Sequence, residues 1–200
     1  MLEVVANTLI SALERKHPYT RGHSERVGRY SKNLAIAAKK NYPWLTDENI
    51  HLILIGGRLH DIGKICVERA TLNNPGHVLT PDQIQELEDH PYHGVEILRK
   101  CGTDIPRIVY DCVLYHHERF DGLHNNHLMG YPLGIAGNDI PLSARIVSVA
   151  DIYDALRSAR PYKEPMSIEE ADNTLRTMSG NKLDPKLVEI FLPLPEREIT

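Results

Sequence analysis

Residues 50–64 read IHLILIGGRLHDIGK, an apolar stretch that ends in polar side chains. With 3.6 residues per helical turn, its buried face continues directly into His60 and Asp61, and Lys64 lies one turn further on. Burying an unpaired carboxylate costs several kcal/mol, so such residues need partners in an interior. The stretch therefore predicts a helix over 47–64 whose C-terminal end delivers polar groups to a buried site.

Four other predicted helical segments also place a His or an Asp on an apolar face. They are His23 in 21–40, His90 at the end of the helix that begins at Thr80, His116 in 104–118 and Asp151 in 142–157. Each one alone has an ordinary explanation, because a lone buried histidine is usually a hydrogen-bonded core residue and an aspartate can pair with an arginine. Together, five helices directing His or Asp to one interior are most economically explained by a metal site.

The hydrophobic periodicity is helical almost throughout the 200 residues, and the only strand candidates are 4–5 and 146–149. We therefore predict an all-α bundle of about eight helices in a single domain over 1–200. Its metal core would span 17–163, with C-terminal helices in 164–200. Glycine and proline are frequent between 120 and 141, which predicts a long irregular loop shortly after His116-His117.

Composition excludes several functional classes. The net charge is −4, so no basic field exists to hold duplex nucleic acid. Every apolar run, including 52–55, is far shorter than the roughly 20 residues of a membrane span. The N-terminal residues lack a secretory signal, and the three cysteines form no CxxC pair, which favours a cytoplasmic protein. No Ser-His-Asp or Cys-His nucleophile arrangement is evident.

The ligand types suggest the metal chemistry. Imidazole and carboxylate without thiolate favour Fe or Mn, with Zn and Ni also acceptable. Five histidines and two aspartates are too many for one tetrahedral ion, but they fit two ions about 3.5–4 Å apart, bridged by a carboxylate and a hydroxide. The candidate ligands are His23, His60, Asp61, His90, His116, His117 and Asp151. Such a pair of ions suits hydrolysis at phosphorus.

Several motifs give the chain a family resemblance. They are His60-Asp-Ile-Gly-Lys64, His116-His-Glu118, Asp121-Gly122, Gly130-Tyr-Pro132 and the run 140–163. From about His17 to Phe191 the chain resembles an HD-GYP domain, a subgroup of the HD phosphohydrolase superfamily. Members of that group are bacterial phosphodiesterases that open cyclic di-GMP to pGpG and often continue to GMP, and some prefer a hybrid cyclic GMP-AMP.

The resemblance implies a role for each matching residue. His23, His60 and Asp151 would hold one ion; His90, His116 and His117 would hold the second; Asp61 would bridge them. Lys64 would contact the bridging hydroxide or the scissile phosphate. Arg160 and Lys163 would grip a phosphate of the substrate, Tyr131 would lie beside it, and Asp154 would face a guanine edge.

The chain departs from the family pattern in two informative places. Some relatives hold a third ion with a glutamate four residues before the first ligand histidine, but that position is Tyr19 here, so we expect two ions. Residues 123–129 form an insertion between Asp121-Gly122 and the Gly-Tyr-Pro motif.

Two alternatives to an active cyclic di-GMP phosphodiesterase stay open. One is a weakly active or inactive module that senses a cyclic dinucleotide or docks a protein, and the insertion is its main support. The other is an HD hydrolase for another phosphate ester, for example the hybrid dinucleotide. An upstream sensor domain or a homodimer is compatible with either. The apolar stripe Leu2, Val5, Leu9 and Leu13 could be core or a dimer seam.

Overall fold

Ten α-helices and no β-strand are found in the part of the chain that the computed structural model describes, which is residues 1–72, 78–124, 130–159 and 164–195. The helices are α1 (Leu2–Lys16), α2 (His23–Ala38), α3 (Asp47–Leu59), α4 (Arg69–Leu72), α5 (Pro81–Glu88), α6 (His90–Arg99), α7 (Arg107–Tyr115), α8 (Leu142–Arg157), α9 (Ile168–Met178) and α10 (Pro185–Phe191). The predicted all-α class is confirmed. The helix number exceeds the predicted eight partly because the short α4 forms in a stretch that carries little helix signal.

Local capping fixes where several helices begin. The Thr80 hydroxyl accepts a hydrogen bond from the Gln83 backbone N–H, and the Gln83 side-chain oxygen accepts one from the Thr80 N–H, which completes a capping box for α5. Ser167 and Glu170 form the same arrangement for α9. Because the first backbone N–H groups of a helix have no partner inside it, these caps specify the start of each helix locally.

The end of α3 differs from the prediction. The helix stops at Leu59, and residues Ile62–Cys66 form a 3₁₀ turn instead of the last helical turn. Packing gives the reason: a Cβ atom on Gly63 would lie 1.8 Å from the His90 carbonyl oxygen, so the turn and α6 approach each other backbone to backbone. A 3₁₀ turn also aligns side chains three apart, which places Lys64 over Asp61.

Two apolar cores flank α3, and α3 contributes to both of them. Ile50 and Ile53 join the core made mainly by α2, α8, α9 and α10. Ile55 and Leu59 join a second core with α1, α6 and α7. The polar C-terminal end of α3 therefore emerges where these two cores meet.

The N-terminal helix packs against the second core. Ala6, Ile10 and Leu13 of α1 are buried there, and Leu2 and Leu9 pack against the same cluster. This contact accounts for Leu2, Leu9 and Leu13 of the predicted apolar stripe as part of the core.

The described parts of the region 120–141 contain no α-helix and only a short 3₁₀ turn, Gly137–Asp139, in agreement with the predicted irregular loop. Residues 125–129 of the insertion lie outside the described residues. Among the described helices, none combines the length and the apolar character needed to cross a bilayer.

Gly63→Ala should destabilise the protein by about 1–3 kcal/mol, because both partners in the close contact are backbone and cannot rotate away. Urea unfolding in the presence of a chelator would measure the loss without a contribution from bound ions. Cys66→Ala, at an exposed position of the same turn, is the control and should unfold like the parent protein. Equal midpoints for Gly63→Ala and the parent would contradict the packing argument.

Candidate metal centre

Two groups of His and Asp side chains meet in the interior between the two cores. Asp61, His90, His116 and His117 each offer one ligand atom, and these atoms lie within 4.8 Å of one another. His23, His60 and Asp151 form a second group under the same limit. The structure thus brings together all seven residues that the sequence analysis named as candidate ligands, from α2, α6, α8 and the ends of α3 and α7.

Asp61 connects the two groups through its two carboxylate oxygens. Its Oδ2 lies 3.6 Å from His23 Nε2 and 3.4 Å from His60 Nε2. Its Oδ1 lies 3.3 Å from His90 Nε2 and 3.8 Å from His116 Nε2. One oxygen therefore faces each group, which is the geometry required of a bridging ligand.

Backbone carbonyls and one carboxylate orient four of the imidazoles. The Nδ1 atom donates a hydrogen bond in each case: His60 to the Gly57 carbonyl (2.7 Å), His90 to that of Leu87 (2.6 Å), His116 to that of Val113 (3.0 Å) and His23 to Asp154 Oδ2 (2.7 Å). Because a carbonyl only accepts, Nδ1 must carry the proton in the first three. Their Nε2 lone pairs then point to the centre, as in metal-binding histidines.

The donor set fits metal ions on two further observations. His60 Nε2, Asp61 Oδ1 and His117 Nε2 are buried without a hydrogen-bond partner, which is costly for polar atoms unless something else satisfies them. The Nε2 atoms of His90 and His116 are 3.4 Å apart. Two ligands on one ion with bonds of about 2.1 Å stand about 3.0–3.5 Å apart, so this spacing suits a shared cation.

Charge is unevenly divided between the two groups. Burial disfavours protonation of His60, but the carboxylates of Asp61 and Asp151 outweigh it and raise its pKa to about 10. The pKa of His23 is also raised, because its contacts with Asp154 and Asp61 overcome burial. The carboxylates around this group therefore favour a positive charge at its imidazoles, which a bound metal ion would supply in place of a proton.

The other group is built from neutral imidazoles. Burial lowers the pKa of His90, and it lowers the pKa values of His116 and His117 well below their usual range, where neighbouring imidazoles add to the effect. Burial alone would raise the pKa of Asp61, but Lys64 and the adjacent histidines hold it well below its usual range. Neutral imidazoles beside an ionised carboxylate are in the protonation state that metal binding requires.

Asp154 is engaged inside the protein. Besides His23, it accepts hydrogen bonds from Arg26 Nε at 2.5 Å and Arg26 Nη2 at 3.1 Å, and it is 1% exposed. These contacts support a role in orienting His23, while contact with a guanine stays a prediction. Sequence analysis gave Arg26 no role, although its position three residues after His23 on one helix is a usable signal.

A loop covers the group formed around His117. The Tyr131 ring stacks on the His117 ring with centroids 4.5 Å apart, and it is 8% exposed. Glu118, itself buried, anchors this loop by accepting hydrogen bonds from the backbone N–H groups of Leu133 (2.6 Å) and Gly134 (2.9 Å). Glu118 was part of a quoted motif without an assigned role, and the structure supplies one.

The remaining predicted residues differ in what is known of their positions. Lys64 Nζ donates to Asp61 Oδ2 at 2.6 Å, beside the centre. Arg160 and Lys163 lie outside the described residues. In the described part of the insertion, which carried no residue prediction, His124 donates from Nδ1 to the Gly130 carbonyl.

Comparisons with known proteins agree with this arrangement. A sequence model of the HD domain family matches residues 7–187. A cyclic di-GMP phosphodiesterase of Thermotoga maritima is 39% identical over 181 residues, which are 90% of this chain and 46% of that protein. The 3'3'-cGAMP-specific phosphodiesterase 2 of Vibrio cholerae is 33% identical over 95% of this chain and 34% of its own length. The chain thus spans less than half of each of these relatives.

A solved structure shares the fold. The crystal structure of a cyclic GMP-AMP specific phosphodiesterase of Vibrio cholerae superposes with a TM-score of 0.71 at 20% identity, covering 98% of this chain and 50% of that one. With the family match, the helical fold and the His/Asp cluster in agreement, the chain belongs to the HD domain family, as the resemblance predicted.

Proposed function

We propose that the chain is a metal-dependent phosphoric diester hydrolase that opens cyclic di-GMP to pGpG. The observation that carries the proposal is the position of Asp61, with one carboxylate oxygen facing each of the two ligand groups. Its support beyond geometry is the family, whose curated relatives include cyclic di-GMP phosphodiesterases.

Two divalent ions bound there would activate water at neutral pH and neutralise charge on the phosphate oxygens. His23, His60 and Asp151 would hold one ion and His90, His116 and His117 the other. Fe or Mn suits these donors best, and Zn or Ni is also acceptable, because nitrogen and carboxylate oxygen supply every ligand.

The chain's own residues divide the remaining tasks. The Lys64 ammonium, beside Asp61, would stabilise negative charge that grows on the phosphate during attack. Tyr131, fixed over His117 by the loop that Glu118 anchors, would border the substrate and limit the access of bulk water. Arg160 and Lys163 would bind a substrate phosphate through charge-assisted contacts.

Cyclic di-GMP is the first substrate to test. The Thermotoga maritima relative that is named a cyclic di-GMP phosphodiesterase is 39% identical to this chain, whereas the Vibrio cholerae relative named for 3'3'-cGAMP is 33% identical. The hybrid dinucleotide is the second substrate in the same assay. A cytoplasmic location and an upstream sensor domain or homodimer remain expectations from the sequence.

Purified protein loaded with Mn²⁺ or Fe²⁺ should convert cyclic di-GMP to pGpG, and a chelator should abolish the reaction. Chromatography of the products with cyclic di-GMP, the hybrid dinucleotide and bis-p-nitrophenyl phosphate as substrates distinguishes the candidates. Asp61→Ala should be inactive, and Asp139→Ala, which removes an exposed carboxylate, should retain full activity. Binding of the dinucleotide without turnover of any substrate would replace the proposal with a sensing module.

Arg160→Ala and Lys163→Ala should each raise KM for the cyclic dinucleotide by about one to two orders of magnitude, since each removes a charge-assisted contact worth roughly 1.5–3 kcal/mol. Neither change should alter the metal content. Lys186→Ala, which removes an exposed positive charge on α10, is the matched control. An unchanged KM in the Arg160/Lys163 double variant would mean that the substrate phosphate binds elsewhere.

A further inference from the structure

The turn that carries Lys64 is held from outside by the end of α1. Lys16, the last residue of α1, donates from Nζ to the carbonyl oxygens of Ile65 (2.6 Å) and Val67 (2.9 Å). The donor and acceptors are about 50 residues apart in the chain. One ammonium group therefore binds two backbone carbonyls at the C-terminal end of the Ile62–Cys66 turn.

His17 adds a third contact to the same turn. It is fully buried, and its Nε2 donates to the carbonyl oxygen of Lys64 at 3.1 Å. Because the acceptor is a carbonyl, Nε2 must carry the proton. His17 thus contacts the backbone of Lys64 directly, whereas Lys16 contacts the carbonyls of Ile65 and Val67, which follow it.

These contacts matter because a short 3₁₀ turn is weakly held by its own hydrogen bonds. Inside the turn, the Lys64 N–H donates to the Asp61 carbonyl (2.9 Å) and the Val67 N–H to that of Lys64 (3.1 Å). The carbonyls at the end of a helical turn lack partners within it, and Lys or His side chains can supply them. Lys16 does so here for Ile65 and Val67, and His17 adds a second donor to the Lys64 carbonyl.

The alignment of Lys64 with Asp61 depends on the turn staying 3₁₀. Side chains three residues apart eclipse in that geometry, and Lys64 Nζ reaches Asp61 Oδ2 at 2.6 Å. On the opposite side Gly63 lies against α6, so the turn is enclosed between α1 and α6. Loss of the α1 contacts would free one side of this enclosure.

We propose that Lys16 and His17 are positioning residues, which hold the Ile62–Cys66 turn so that the Lys64 ammonium stays aligned with the reaction centre. The effect that we expect on catalysis rests on the proposed function, whereas the structural part of the proposal, that these two residues hold the turn, does not. Their side-chain hydrogen bonds described above end on backbone carbonyls of the turn and the residue after it, so both residues act through Lys64.

Amide hydrogen exchange tests the structural half without any substrate. Lys16→Met keeps the apolar stem and removes the ammonium, so the amides of Lys64 and Val67 should exchange at least several-fold faster while those of α8 are unchanged. Arg15→Met removes an equal charge from an exposed neighbouring position and should leave these amides as in the parent protein. Unchanged exchange at Lys64 and Val67 in Lys16→Met overturns the inference. If that variant does not fold, His17→Phe, which keeps a buried ring and removes the donor, serves in its place.

Kinetics test the action through Lys64. Lys16→Met should lower kcat by about tenfold or more with KM and metal content unchanged, because a small misplacement of a catalytic group lowers the rate of the chemical step strongly. In a Lys64→Met background the same change should have no further effect, whereas a general loss of structure would lower both backgrounds equally. Equal loss in both overturns the inference. An inactive parent protein would instead overturn the proposed function, and the exchange experiment would still decide whether α1 holds the turn.

Discussion

The buried carboxylate of Asp61 is the charge around which the interior is arranged. A carboxylate removed from water is costly unless cations or donors surround it. Lys64 lies 2.6 Å from one oxygen, and imidazoles approach both oxygens at 3.3–3.8 Å. The imidazoles of His23, His90 and His116 come from distant parts of the chain, so satisfying this one residue requires α2, α6 and α7 to converge on the end of α3.

The backbone around the site does much of the orienting. Carbonyls of Gly57, Leu87 and Val113 fix the rings of three histidines from helix ends, where carbonyls are free to accept. The close contact of Gly63 with α6 then sets the distance between the Asp61 segment and His90. Rigid elements therefore define the ligand positions, while the loops that follow carry the residues expected to meet substrate.

Much of this arrangement follows from periodicity. Polar residues at positions where a helix needs apolar ones pointed to six of the seven candidate ligands, while His117 was added by its motif beside His116. The helix start predicted at Thr80 agrees with the capping box of α5. The end of α3 was predicted wrongly, since a repeat of 3.0 and one of 3.6 residues cannot be told apart over a single turn. The close approach that favours the 3₁₀ form involves α6, about 30 residues later.

Contacts between distant residues account for what sequence analysis missed. The bond from Arg26 to Asp154 spans 128 residues, and that from Lys16 to Ile65 spans 49, so no local pattern identifies the partner of either side chain. Glu118 follows the histidine pair directly, but its partners are backbone N–H groups, which carry no side-chain signature.

Anomalous diffraction from crystals of the protein grown with Mn²⁺ would decide whether Asp61 joins two cation sites. The expected result is two anomalous peaks about 3.5–4 Å apart, one on each side of the Asp61 carboxylate. One peak should lie beside His23, His60 and Asp151, and the other beside His90, His116 and His117. A single peak, or peaks that Asp61 does not contact, would contradict this role of Asp61.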